Sequence, residues 1–193
     1  LGWKCNNLKE NCITPISLRS LIPGIKQFSS TRDDKKIFNN LDNFEILELN
    51  ETNIDKIISL ESKKKNYLQI NRDQKFFFWR TLNCPLKKEI IIFKTSDDFL
   101  ICRLFNKKNL KRLNLLFQSN HKNQRTFALL KQWAKKNRVD YIWSIKNEDE
   151  TKSLLSIRKK INFAYFSKDK EILDILENKK FFLQGIDSDI DFI

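Results

Sequence analysis

The chain has 193 residues, of which 40% are hydrophobic, so it is long enough to bury a core within one large domain. No run approaches the roughly 18 consecutive apolar residues of a membrane-spanning helix, and no signal-peptide pattern is present. The net charge of +13 would favour a nucleic-acid partner. However, the basic residues are spread along the chain, and abundant Lys, Asn, Ile and Phe are typical of an AT-rich coding sequence. We therefore expect most of these residues to be solvated surface charges, which disfavours a nucleic-acid partner.

Cysteine and histidine spacing does not predict a metal site. The single histidine, His121, has no histidine partner, and the cysteines form no Cys-x-x-Cys pair: Cys5, Cys12, Cys84 and Cys102. Without a secretion signal, these unpaired cysteines favour a reducing cytoplasm. Because the chain contains no Met and opens on Leu1, we expect a processed or truncated product.

Residues 1–43 hold two of the three glycines and two of the three prolines, and they show no sustained periodicity. This composition predicts an extended segment followed by a polar linker. We place a domain boundary near Leu41, which leaves residues 44–193 as the domain proper.

From Phe44 onwards the apolar residues recur regularly. The spacing predicts a strand at 44–49, a helix over 54–61, a helix at 74–82, strands at 89–93, 99–105 and 112–117, a helix at 124–136, a strand at 140–145, a helix at 149–159, a strand at 162–167, a helix at 169–177 and a strand at 181–183. Asp73 is expected to cap the second helix, which Pro85 ends. The order β-α-α-β-β-β-α-β-α-β-α-β predicts an α/β domain, a mixed sheet flanked by helices.

The turn between the strand ending at Phe117 and the helix bearing Trp133 is the predicted ligand site. The first amides of a helix are unpaired and carry partial positive charge, so ligands bind at such turns in α/β domains. Phosphate-binding turns use glycine for close approach of the backbone, and Gln118–Arg125 contains none.

The order of elements resembles that of GNAT-type N-acyltransferases over about residues 44–193. Two local stretches resemble GNAT-like proteins encoded near surface-polysaccharide genes. The first comprises Arg72, Asp73, Phe76, Phe77, Trp79, Arg80, Asn83 and Pro85, and the second comprises Phe181, Phe182, Leu183, Gly185, Asp187, Ser188, Asp189, Ile190 and Asp191. The opening Leu1, Gly2 and Trp3 resembles the close of a preceding GNAT lobe. That likeness implies that residues 1–43 are the tail of such a lobe and that this domain is the C-terminal lobe of a tandem protein.

The resemblance implies acyl transfer from acetyl-CoA or another acyl-CoA to an amine acceptor, such as an amino sugar or another small cell-envelope precursor. Backbone amides of the fourth strand would hold the thioester carbonyl, since donors placed where charge develops stabilise the transition state. The following loop would wrap the pyrophosphate, although its family glycines are replaced here. The implied cofactor-binding residues are Phe117, Gln118, Lys122, Asn123, Gln124 and Arg125.

Each candidate catalytic or acceptor residue has two interpretations. Glu89 is a candidate general base or a solvated strand-edge carboxylate, and Tyr165 is a candidate acid or a core residue. The acceptor-side candidates are Arg72, Trp79, Arg80, Asp187 and Asp189. The aromatic helix carrying Trp79 could instead be core, and the alternating acids could bind a cation or sugar hydroxyls or form an acidic tail.

Two other classes of function remain as alternatives. A GNAT-fold interaction domain would keep the fold and lack catalysis, which the glycine-free loop permits. A basic nucleic-acid-binding domain is favoured by net charge alone, since the sequence lacks the aromatic and basic strand motifs that stack bases.

Overall fold

The computed structural model describes residues 4–17, 41–61, 67–107, 109–120, 123–146, 157–165, 168–178 and 180–187. The strands in these ranges are β1 (Lys4–Pro15), β2 (Glu45–Leu47), β3 (Tyr67–Gln69), β4 (Ile90–Lys94), β5 (Phe99–Lys107), β6 (Leu110–Gln118), β7 (Tyr141–Lys146), β8 (Ile157–Tyr165) and β9 (Lys180–Phe182). The helices are α1 (Glu51–Ser59), α2 (Gln74–Arg80), α3 (Gln124–Lys136) and α4 (Lys170–Asn178). Short 3-10 turns occupy Lys87–Glu89 and Gly185–Asp187.

Seven strands form one mixed sheet in the order β2-β4-β5-β6-β7-β1-β8. Strands β2, β4, β5 and β6 are antiparallel neighbours, whereas β6 and β7 are parallel and α3 connects them. Strands β3 and β9 form a separate parallel pair. The predicted α/β class, with a mixed sheet flanked by helices, is confirmed. No helix within the described residues is long and apolar enough to cross a membrane.

Strand β1 lies inside the sheet, although residues 1–43 were expected to lie outside the domain. It pairs antiparallel with both β7 and β8, and Ile13 stands opposite Trp143 and Ile157. Sequence periodicity did not reveal this strand, because its first residues are mostly polar. Only near its end do Cys12 and Thr14 alternate as buried positions.

Two other expectations differ from the structure. Of the helix predicted at 149–159, residues 149–156 lie outside the described part, and 157–159 belong to strand β8. The last predicted strand pairs with β3, which was not predicted, and not with the main sheet.

Alternate residues of each central strand contact different helices. On one face, Phe93 and Cys102 pack with Leu130 and Trp133 of α3, and the rings of Phe93 and Trp133 lie 4.7 Å apart. On the other face, Ile92, Ile101 and Phe117 pack with α1 and α2 through residues such as Ile54 and Phe77. The amphipathic patterns of α1 and α3 were visible in the sequence, since the apolar residues of each helix recur on one side.

Helix α3 ends in a Schellman arrangement, in which two backbone bonds close the last turn. The amide of Arg138 donates to the carbonyl of Lys135 at 3.1 Å, and the amide of Val139 donates to that of Ala134 at 2.8 Å. Arg138 has φ of 56° and an exposed side chain. A left-handed backbone disfavours residues with a Cβ, so Arg138 strains this turn.

Arg138→Gly is expected to raise the free energy of unfolding by about 0.5–1 kcal/mol, because glycine adopts a left-handed backbone without steric cost. Chemical denaturation measures the change. The matched control, Arg138→Val, should lower stability, because a β-branched side chain tolerates positive φ poorly. Equal stability of the two variants would contradict the strain.

Candidate functional site

Strands β6 and β7 diverge from each other at the end where α3 begins. Their parallel pairing covers three residue pairs and ends at Asn114 opposite Trp143. Both strands continue beyond this pair, β6 to Gln118 and β7 to Lys146. The register of β6 with β5 also shifts, which leaves Leu116 as an extra residue in a bulge. A split therefore opens between two central strands.

The 3-10 turn Gly185–Asp187 occupies this split. A Cβ on Gly185 would lie 2.7 Å from the carbonyl oxygen of Leu115 and 3.2 Å from the Trp143 ring, so only glycine allows this close approach. The preceding Gln184 is buried, and its Oε1 accepts from the backbone amide of Gln118 at 2.7 Å. The chain thus fills its own split and satisfies the exposed end of β6.

Arg72 anchors this segment to the body of the domain. Its Nε and Nη2 donate to the two carboxylate oxygens of Asp187 at 2.7 and 2.6 Å, and its Nη1 donates to Glu61. The guanidinium also lies 5.9 and 6.0 Å from the ring centroids of Phe117 and Phe182. The side chain of Arg72 is fully buried. Burial alone would lower the pKa of Arg72, but the bonds and charges of Asp187 and Glu61 together raise it.

A second buried carboxylate, Asp98, holds the loop between β6 and α3. Its Oδ1 accepts from the Ser119 hydroxyl at 2.8 Å and from the amide of Asn120 at 2.9 Å. Its Oδ2 accepts from the Gln118 side-chain amide at 2.7 Å. That amide also donates to the carbonyl oxygens of Asn120 and Asn123. The Gln118 side-chain amide, the Ser119 hydroxyl and the Asn120 amide therefore all donate within the protein.

Burial raises the pKa of Asp98 above its ordinary value, although hydrogen bonds from Asn120, Gln118 and Ser119 oppose the rise. The desolvation of the carboxylate thus outweighs its donors.

The structure describes five of the six predicted cofactor residues, all at the end of β6 or the start of α3. Phe117 is buried against Phe77, with ring centroids 5.1 Å apart. Asn123 caps α3 by accepting from the amide of Thr126 at 3.1 Å, and its Nδ2 donates to Asp97. Gln124 and Arg125 are exposed at the start of the helix. Lys122 lies outside the described residues.

A cavity of about 140 Å³ lies beside the amino end of α3. The residues that line it include Asp97 and Arg125, so a carboxylate and a guanidinium both reach it. An anion placed there would face the negative charge of Asp97, which opposes phosphate binding. Within the described residues, no cluster of three His, Cys, Asp or Glu side chains could hold a metal ion.

The two candidate acid-base residues lie towards opposite edges of the sheet, Glu89 just before β4 and Tyr165 at the end of β8. Glu89 accepts from Nε of Arg103 at 2.7 Å, and its side chain is 34% exposed, so it is a half-buried ion-pair partner. Tyr165 ends β8 at the opposite side of the sheet, opposite Lys4 of β1.

The acceptor-side candidates separate into a buried group and an exposed one. Arg72 and Asp187 pair inside the protein, and Asp187 lies in a 3-10 turn. Trp79 is 59% exposed on α2, and the buried guanidinium of Arg80 lies 5.2 Å from its ring. Asp189 lies outside the described residues.

Sequence reasoning missed Glu61, Asp98 and Gln184 as parts of this site. Glu61 was placed at the end of the helix predicted over 54–61 and Asp98 between the strands predicted at 89–93 and 99–105, and both positions suit polar residues. No local pattern identifies them, because their partners lie 11 to 66 residues away.

No protein family, curated protein or solved structure compared with the chain matches it.

Arg72→Met is expected to lower the free energy of unfolding by about 3–5 kcal/mol, because it leaves two buried carboxylates without their cation. Urea denaturation measures the loss. The matched control is Lys94→Met, which breaks the exposed Lys94–Glu45 pair at 3.4 Å and should change stability by less than about 1 kcal/mol. Similar losses in both variants would contradict the anchoring role.

Titration should place the pKa of the Asp98 carboxyl above the ordinary aspartate value of 3.8. Since the folded protein then binds this proton more readily than the unfolded chain, wild type should gain stability relative to Asp98→Asn as pH falls from the folded pKa towards 3.8. Carbon-13 NMR of the carboxyl and denaturation at several pH values test this. A midpoint below 3.8, or a gain with rising pH, would contradict the desolvation argument.

Proposed function

We propose that this domain is the acceptor-side lobe of a GNAT-type N-acyltransferase and that it does not itself hold the acyl-CoA. The acyl donor would be bound by a preceding GNAT-like lobe, and the acceptor would be an amine such as an amino sugar or another small cell-envelope precursor. The order β2, α1, α2, β4, β5, β6, α3, β7 supports the GNAT part of this proposal, with β3 as an addition between the helices.

The occupied amide of Gln118 is the observation that carries the proposal. In GNAT-type acyltransferases, which this chain resembles, the end of the fourth strand supplies the amides that hold the thioester carbonyl. Under this proposal β6 corresponds to that strand. The Gln118 amide already donates to Gln184 at 2.7 Å, and Gly185 lies against the strand beside it. A thioester could use this edge only after the segment around Gln184 left the split.

Charge and hydrogen bonding in the loop argue in the same direction. A pyrophosphate needs free backbone amides and positive charge. The Asn120 amide donates to Asp98, the Asn123 amide donates to the Asn120 carbonyl, and the Asn123 side chain takes the Thr126 amide. Each buried bond that CoA displaced without replacement would cost about 1–3 kcal/mol.

The exposed ring of Trp79 supports the acceptor role. Tryptophan is mostly buried in folded proteins, and this one keeps 59% of its surface in solvent. Phe76 contacts it edge-on at 6.1 Å, and Arg80 lies 5.2 Å from its centroid, so the ring is held in place. A fixed exposed aromatic face suits the apolar side of a sugar ring.

A non-catalytic interaction domain is the second candidate, and α4 favours it. Ile172 and Ile175 are 47% and 42% exposed on this helix, and none of its residues is buried. Exposed apolar side chains on one helix are typical of a surface that contacts a partner.

Equilibrium titration with acetyl-CoA tests the donor part of the proposal. We expect no saturable heat up to millimolar ligand, and no change on Arg125→Glu, because the amides of Gln118, Asn120 and Asn123 already donate within the protein. Saturable micromolar binding that Arg125→Glu abolishes would overturn it and identify a lobe that binds its own donor.

Titration with glucosamine, followed by NMR of the Trp79 indole N–H, tests the acceptor part. Saturable shifts that Trp79→Ala removes are expected for the acceptor lobe. Ile175→Ala, which alters the exposed face of α4, is the matched control and should leave the affinity unchanged. Absence of saturable binding in wild type would favour the interaction domain.

A further inference from the structure

Two adjoining cavities lie on the side of the sheet that carries α3. The smaller one, of about 140 Å³, reaches the start of α3, and the larger one has a volume of about 400 Å³. Asn43, Thr95 and Ser96 line both of them. The larger cavity is also bounded by Leu41 and Phe44, so it offers apolar surface beside the polar surface of the smaller one.

The turn between β4 and β5 places Asp97 at the smaller cavity. The backbone amide of Thr95 donates to the carbonyl of Asp98 at 2.9 Å, which closes the turn. Oδ1 of Asp97 accepts from the Ser96 hydroxyl at 3.1 Å, and Oδ2 accepts from Nδ2 of Asn123 at 3.1 Å. Because each carboxylate oxygen accepts about two hydrogen bonds, Oδ2 keeps a position for another donor.

Arg125 brings the opposite charge to the same cavity. Its side chain is exposed, and within the described residues it makes no hydrogen bond or ion pair, with Asp97 or with any other group. The charged residues of the larger cavity, Glu45 and Lys94, pair with each other at 3.4 Å. The two cavities together therefore have no net charge, and one carboxylate and one guanidinium are left to face a ligand.

Asn43 lies between the two cavities in a fixed turn. Its φ of 61° is left-handed, a conformation that asparagine adopts more readily than most residues, and the amide of Phe44 closes the turn by donating to the carbonyl of Leu41 at 3.2 Å. The Asn43 side chain is exposed and has no hydrogen bond to the described part of the chain. An amide both donates and accepts, so this group suits either charged end of a ligand.

We infer that these cavities bind a small zwitterion of the α-amino acid class. The ligand ammonium donates to Oδ2 of Asp97, and the ligand carboxylate accepts from Arg125, because the planar guanidinium matches two carboxylate oxygens. An apolar ligand side chain extends towards Leu41 and Phe44. A ligand with one charge is disfavoured, since Asp97 repels an anion and Arg125 repels a cation.

This site does not depend on the proposed acyl transfer. It lies on the face of the sheet that packs with α3, whereas Trp79, the proposed acceptor contact, belongs to α2 on the other face. The site would therefore serve an interaction domain equally well.

Titration with three probes, followed by NMR of the Asn43 side-chain amide, tests the inference. L-Leucine carries both charges, leucinamide keeps only the ammonium, and isocaproate keeps only the carboxylate. We expect saturable shifts with L-leucine at millimolar concentration and an affinity about two- to fivefold lower for each analogue, because exposed ion pairs contribute little energy. Absence of saturable shifts with L-leucine, or equal affinity for all three probes, overturns the site.

A variant of Arg125 tests the contact with the ligand carboxylate. Arg125→Met should lower the affinity for L-leucine to that for leucinamide and leave leucinamide binding unchanged. Lys131→Met is the matched control, because it removes an exposed cation from the same helix that does not line either cavity. Unchanged L-leucine affinity in Arg125→Met, or an equal loss in the control, overturns the assignment of Arg125.

Variants of Asp97 test the contact with the ligand ammonium. Asp97→Asn should lower the affinity for L-leucine to that for isocaproate, whereas Asp97→Glu keeps the charge and should retain the preference for L-leucine. Asp55→Asn is the matched control, since Asp55 is also exposed and accepts from a side-chain amide, that of Gln74 at 2.8 Å, but lies on α1. An equal loss in this control would show nonspecific charge attraction and overturn the site.

Discussion

The buried ion pair between Arg72 and Asp187 is the interaction on which the rest of the site depends. Arg72 and Asp187 are 115 residues apart in the sequence, and together with Glu61 they join the residue after α1, the residue before the cap of α2 and the last described turn. A fully buried guanidinium is stable only with both carboxylates in place, since desolvation of either charge alone is unfavourable. The pair therefore fixes the turn that carries Gly185 in one position.

The position of this turn determines which groups contact the ends of β6 and β7. With Asp187 held, Gln184 meets the amide of Gln118 and Gly185 lies against Leu115. The side chain of Gln118 is in turn bound by Asp98, so one residue connects the filled split with the loop before α3. One continuous set of hydrogen bonds thus connects the filled split between β6 and β7 with the loop before α3. A ligand at either place would have to break these bonds.

Local sequence patterns predicted the elements with strong periodicity. The cap at Asp73 and the bounds of α3 match the structure, because capping and amphipathic spacing act within a few residues. Strand β1 was missed, because its polar residues gain their place only through pairing with β7 and β8. The turn after Phe117 lies between a strand and a helix, β6 and α3, as the sequence predicts. The contacts that hold this turn could not be predicted, because Asp98 and Gln184 make them with residues distant in the sequence.

The central place of β1 also constrains how the chain reaches its native state. Lys4–Pro15 precedes both of its partners, the strands at 141–146 and 157–165, so more than a hundred residues must follow it before that part of the sheet can form. Closure of so long a loop is entropically unfavourable and slows folding. Until β7 and β8 have been synthesised, β1 has neither of the strands with which it pairs. A second nascent chain could provide these strands, so strand exchange between molecules is the misfolding error that this topology favours.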